Sequence, residues 1–159
     1  MIDPARRVAW EVMRAVEERD AYVNLLLPAV LRERGIGDRD AAFATELTHG
    51  TIRRQGSYDA ILDTVTSKGI AAVDPPVRDV LRLGTHQLLS LRTPSHAAVS
   101  TSVELVRAVV GHRPATFVNA VLRKVARHDL ETWLDRVAPG RDADPLGDLA
   151  VRHSHPRWI

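Results

Sequence analysis

Apolar residues recur at helical spacing along most of the chain, and turn residues cut that pattern into short amphipathic segments. The pattern is most regular between Asp74 and His128. Asp74-Pro75-Pro76 reads as a helix start. An Asp side chain accepts from first-turn N–H groups, and proline suits a first helical position because the N–H it lacks has no partner there. Val77, Val80, Leu81, Gly84, Leu88 and Leu91 then share one face, until Thr93-Pro94-Ser95 breaks the run. Val99, Val103, Val106 and Val110 form a second face, ended by Gly111-His112-Arg113-Pro114. Phe117, Val118, Val121, Leu122 and Val125 form a third. Three such helices with short connections predict an antiparallel unit around one shared core.

The flanking segments predict further helices. Asp3-Pro4 is a second start signal, followed by Ala5, Val8, Ala9, Val12 and Val16 on one face. Tyr22 to Leu31 is strongly apolar, and Pro28 places the first turn of a short helix there, ending at Gly35. Asp38 is expected to cap one long helix from Arg39 to Ser67, kinked at Gly56, with Phe43, Leu47, Gly50, Arg54, Tyr58, Ile61 and Val65 on one stripe. Gly50 on that stripe predicts a close helix approach. Leu130, Trp133, Leu134 and Val137 predict a short helix, residues 139–144 a linker, and Asp144-Pro145 the start of a last helix to about Arg152. The class is all-α, with about six to eight helices. Residues 1–137 are expected to form the helical domain, and residues 138–159 a linker and the start of a connection to a further domain. The closing Trp158 and Ile159 need something to pack against.

A chain of 159 residues suffices for one domain that buries about 70% of its unfolded surface. It contains no cysteine, which excludes a disulfide framework, a thiolate metal site and thiolate catalysis, and fits a reducing compartment. Asp3, Arg6, Arg7 and Glu11 occupy the place of a signal-peptide apolar run, and no apolar stretch has membrane-spanning length.

Net charge is only +2, yet from Ile61 to His128 nine basic residues face four acidic ones. Such a concentration points to a polyanion-facing surface, with a plain solvated face as the alternative. Arg78, Arg82 and His86 are spaced to form one polar stripe, and Arg123, Lys124 and Arg127 form another. The two either flank a phosphate path or are unrelated surface charges. Arg6 and Arg7 lie in a first helical turn, where the macrodipole disfavours cations, so they too are candidate anion contacts. Glu104 is expected to pair with Arg107 at i+3. No glycine-rich phosphate loop or nucleophile elbow is present, and His153 and His155 alone are too few for a metal site.

Leu81-Arg82-Leu83-Gly84-Thr85-His86-Gln87-Leu88, Pro94-Ser95-His96-Ala97-Ala98-Val99, Val103-Glu104-Leu105 and Phe117-Val118-Asn119-Ala120-Val121-Leu122-Arg123 together resemble the signature of NusB-type domains. More closely they resemble the N-terminal domain of bacterial 16S rRNA (cytosine-5) methyltransferases of the RsmB/Sun family. Ala5-Arg6-Arg7-Val8-Ala9, Leu47-Thr48-His49-Gly50-Thr51-Ile52-Arg53 and His155-Pro156-Arg157-Trp158 fit as well. The resemblance implies a NusB-like helical bundle that binds rRNA in the cytoplasm and packs against a C-terminal methyltransferase domain, with no DNA or membrane partner. S-adenosylmethionine and the cysteine nucleophile would belong to that later domain, so this chain carries no catalytic or cofactor-binding residue. Arg6 and Arg7 become the implied RNA contacts, with Arg78, Arg82, Arg123, Lys124 and Arg127 as further candidates. Asn119 either joins them or braces helices internally. His86-Gln87 stands where stand-alone NusB factors more usually have Tyr-Glu, which favours the methyltransferase branch. A stand-alone antitermination factor and a docking module that binds no RNA are the rival readings.

Overall fold

Asp3 opens the first helix, α1 (Pro4–Arg19), by accepting from the Ala5 N–H at 2.8 Å. The computed structural model describes residues 3–154, and all regular structure among them is helical. In α2 (Val23–Glu33), Pro28 sits inside the helix and not in its first turn. Packing overrides the lost hydrogen bond: Leu27 is buried, and Val23, Leu26 and Val30 press on the same apolar cluster. Pro28 and Asn24, whose carbonyl loses its donor, both lie on the solvent side.

The expected long helix is two helices, α3 (Asp38–Arg53) and α4 (Gln55–Val65). They part at Arg54 (φ −102°, ψ 11°), not at Gly56. Each half follows its own partner: α3 lies along α1, whereas α4 turns toward the C-terminal helices. Gly37 is the N-cap of α3, so Asp38 stands within the first turn, where the helix dipole favours it. A 3-10 turn (Ile70–Ala72) leads to α5 (Pro75–Leu89), which Asp74 precedes without a side-chain capping bond. Then come α6 (Ser95–Val109), α7 (Ala115–Val125), α8 (Leu130–Val137) and α9 (Pro145–His153). Nine α-helices among the described residues exceed the expected six to eight because of the split at Arg54.

Helix α5 is the axis of the molecule, packed by α1, α3, α4, α6 and α7. Val80, Leu81 and Leu83 meet Leu47, Leu62, Val106, Val118 and Leu122 in the main core. Close approach depends on two glycines. A Cβ at Gly84 would lie 2.7 Å from Leu122 Cδ1 and 2.8 Å from Ser102 Oγ, and one at Gly50 would overlap the His86 ring. A smaller cluster joins Ala5, Val8 and Val12 to Leu27 and Ala44, so α1 is buried on two sides. Trp10 Nε1 ties α1 to α5 by donating to the Pro76 carbonyl at 3.0 Å.

Residues 139–144 connect two packed helices. Helix α9 returns to α4, where the Ser57 N–H donates to Ser154 Oγ at 2.9 Å and the Ser57 hydroxyl donates to the Val151 carbonyl. The segment His155-Pro156-Arg157-Trp158 lies outside the described residues. No helix among those described is long and apolar enough to cross a membrane.

Candidate nucleic-acid interface

The predicted basic residues separate into three environments. On α1, the Arg6 side chain is only 13% exposed. Its Nε donates to Gln87 Oε1 at 2.8 Å, it pairs with Asp3, and its guanidinium lies 4.9 Å from the Phe43 ring centre. Arg7 is the more accessible of the pair, 41% exposed, and pairs with Glu11 at 3.3 Å.

The predicted stripe of Arg78, Arg82 and His86 is not a surface. Because α5 is wrapped on all sides, its charges point into the molecule and must be paired there. Arg82 is 6% exposed, with Nε and Nη2 on Asp59 at 2.8 and 2.7 Å and Nη1 on Asp79 at 3.0 Å. Each of its three nitrogens is bonded to a carboxylate, and the side chain is enclosed. Asp79 also accepts from Arg14 Nη1 at 2.9 Å. Arg78 pairs with Glu17, which Arg14 also reaches at 2.9 Å. Burial lifts the Asp79 carboxyl above its ordinary range, against the pull of Arg14 and Arg82. Partial burial likewise opposes ionisation of Glu17, but Arg78, Arg14 and Arg82 outweigh it and hold that carboxyl low.

His86 is 1% exposed. Its Nδ1 lies 2.7 Å from the Tyr58 hydroxyl, which also meets Ser90 Oγ at 2.6 Å, and its Nε2 faces Glu46 Oε1 at 3.4 Å. A neutral ring with its proton on Nε2 satisfies both contacts. Burial, helped by Arg54 and Arg53, pushes the imidazole below its ordinary value of 6.5 despite Glu46. Burial also pushes the Tyr58 phenol up to about 12. Well above pH 6.5 the imidazole is neutral in both folded and unfolded chains. Below that pH the unfolded chain takes up a proton that the folded chain resists, so stability declines as pH falls. Urea midpoints measured from pH 7.5 down to 5.5 are expected to fall. The variant His86→Gln should be less stable throughout but show a flatter pH profile.

The third environment is the exposed surface of α6, α7 and the turn after α7. Arg123, Lys124 and Arg127 are exposed there, and none has a carboxylate partner among the described residues. Arg123 Nε donates only to Asn119 Oδ1, at 3.2 Å. Arg107 is exposed on α6, and the expected pair with Glu104 does not form. Both side chains instead line a groove of about 660 Å³ between α6 and α7, with His96, Asn119 and Arg123. From Leu91 to His128 the chain carries six basic residues and a single acidic one, Glu104. The structure thus brings Arg107 to Arg123, and it leaves Arg6, Arg7, Arg78 and Arg82 elsewhere. Arg107 is not among the candidates drawn from the sequence, although His96, Ser100, Glu104 and Arg107 recur at helical spacing as one polar face.

A family model described as the NusB family matches residues 3–127. A Mycobacterium tuberculosis protein, named provisionally as a methyltransferase, is 52% identical over 99% of this chain and 35% of its own length. Ribosomal RNA small subunit methyltransferase B of Pseudomonas putida is 31% identical over 97% of this chain and 33% of its own. The chain therefore spans about a third of the curated relatives it matches. Among solved structures, a chain in the complex of antitermination factors NusB and NusE with dsRNA superposes with a TM-score of 0.71 at 25% identity, covering 77% of this chain and 93% of that one. T. maritima NusB superposes with a TM-score of 0.71 at 20% identity, over 85% of this chain and 99% of that one, and so shares the fold.

Proposed function

The chain belongs to the NusB family, and on that footing we propose that it is the rRNA-holding domain of an rRNA cytosine-5 methyltransferase whose catalytic part lies outside this chain. The observation that carries this reading is the unneutralised cationic face of α6 and α7. On α1 and α5 each of Arg6, Arg7, Arg14, Arg78 and Arg82 has a carboxylate partner, whereas Arg107, Arg123, Lys124 and Arg127 have none among the described residues. Cations left without internal partners are available to phosphates, and they hold RNA without reading its sequence. S-adenosylmethionine would supply the methyl group in the catalytic part. All regular structure among the described residues is helical, with no glycine-rich strand-to-helix loop, and the sequence has no cysteine nucleophile, so no transfer step is assigned to this chain.

Binding of this chain to a fluorescent rRNA hairpin across a salt series tests the reading. Affinity should fall steeply with salt, and the triple variant Arg123→Ala, Lys124→Ala, Arg127→Ala should lower the log–log slope by about 2–3. The double variant Arg6→Ala, Arg7→Ala should change it less, because both side chains are already paired. No binding even at low salt would sink the reading.

A further inference from the structure

We propose that the α6–α7 groove is a base-reading site for unpaired RNA, selective for bases that carry an exocyclic amino group. The inference rests on the RNA-holding reading and adds which RNA is held and by what chemistry.

The lining is unsuited to phosphate alone. Its floor is aliphatic, formed by Val99, Val103 and Ala115, and its polar groups are of both signs. Arg107 and Arg123 supply cations, but Glu104 opens into the same groove with no cation among the described residues tied to its carboxylate. A plain phosphate track gains nothing from a carboxylate in its middle. A base does, since a carboxylate accepts from an exocyclic amino group such as cytosine N4. Asn119 complements it. Its Oδ1 is occupied by Arg123 Nε, which leaves the amide N–H groups to donate toward a base carbonyl or ring nitrogen. The same bond fixes Arg123 and leaves its terminal nitrogens for the adjacent phosphate. The groove therefore presents one acceptor and one donor set on an apolar floor, between two guanidiniums.

At about 660 Å³ the groove has room for a nucleotide, whereas a duplex would meet only its rim. In paired RNA the Watson–Crick edges are already occupied, so only a splayed, single-stranded base reaches Glu104 and Asn119. Among the described residues no Phe, Tyr or Trp lines the groove, so discrimination here comes from hydrogen bonding and not from stacking.

The test is fluorescence anisotropy at pH 7.5 with labelled hexacytidine and hexauridine, alongside the rRNA hairpin. Uridine lacks the amino group. One discriminating contact should make hexacytidine bind about tenfold more tightly than hexauridine. Glu104→Ala removes the acceptor at an exposed helical position, where alanine is well tolerated. It should bring the ratio close to one, with hexauridine bound no more weakly than before. Arg107→Ala should weaken both oligomers alike. Equal binding of the two by the parent chain, or a preference that survives Glu104→Ala, overturns the inference while hairpin binding stands. Equal, weak binding of both is also the outcome if an acidic protein segment occupies the groove. Failure to bind the hairpin as well overturns both the inference and the reading beneath it.

Discussion

Replacing Asp79 by alanine is expected to lower the free energy of unfolding by about 3–5 kcal/mol, the usual cost of removing one member of a buried charge network. Asp79 is 1% exposed and holds Arg14 of α1 and Arg82 of its own helix, at 2.9 and 3.0 Å. Without it, two guanidiniums remain in the interior short of a carboxylate. Arg14 keeps Glu17 and Glu18, and Arg82 keeps Asp59, so the damage falls on the junction of α1 with α5. Denaturant titration measures the loss. A triple replacement of Asp79, Arg14 and Arg82 by apolar residues of similar volume separates the cost of an orphaned charge from the worth of the network. It should recover much of the loss, because the penalty comes from unpaired charge. If Asp79→Ala shifts the midpoint by less than a surface substitution does, the network is not buried as described.

The second large effect is expected from Trp133→Ala, at about 3–5 kcal/mol as for other large core truncations. Trp133 is the buried anchor of α8. Its indole N–H donates to the Val125 carbonyl at 2.8 Å, and its ring meets His128 edge-on with centroids 5.1 Å apart. That bond satisfies a carbonyl in the last turn of α7, where helices leave acceptors without intrahelical donors. Truncation therefore opens a cavity and frays the turn beside Arg123, Lys124 and Arg127. Hydrogen exchange should show lost protection at the C-terminal end of α7 before the rest of the bundle responds. RNA affinity should fall with it, although the Trp133 hydrogen bond goes to a backbone carbonyl and not to any of the three cations. Uniform loss of protection through the whole bundle would instead make α8 an integral part of its folding core.

These two sites show how the protein divides its charge. The cations buried or half-buried on α1 and α5, Arg6, Arg14, Arg78 and Arg82, are matched by carboxylates within the fold, since burial of an unpaired charge is costly. Cations on α6 and α7 have no such constraint, because those helices each present one face to solvent.

Periodicity alone determined the helices, because an amphipathic stripe and a Pro or Gly break are local properties of the chain. Asp3-Pro4, Asp144-Pro145 and the breaks at Thr93-Pro94 and Gly111 to Pro114 stand where the sequence places them. The close approach at Gly50 was equally legible, as a missing side chain on an apolar stripe. The split at Arg54 was not, because the apolar stripe keeps its phase across it and only the different partners of α3 and α4 turn the chain. Most of all, the sequence does not say which polar stripe faces water. Arg78, Arg82 and His86 have the same helical spacing as a solvent-facing stripe, yet α5 is enclosed and they are bound to Glu17, Asp59 and Tyr58. Arg107 and Arg123 are sixteen residues apart in the chain and become one groove only when α6 packs on α7. Burial and juxtaposition depend on contacts between distant segments, so the tertiary structure alone decides which charges are structural and which are free to bind.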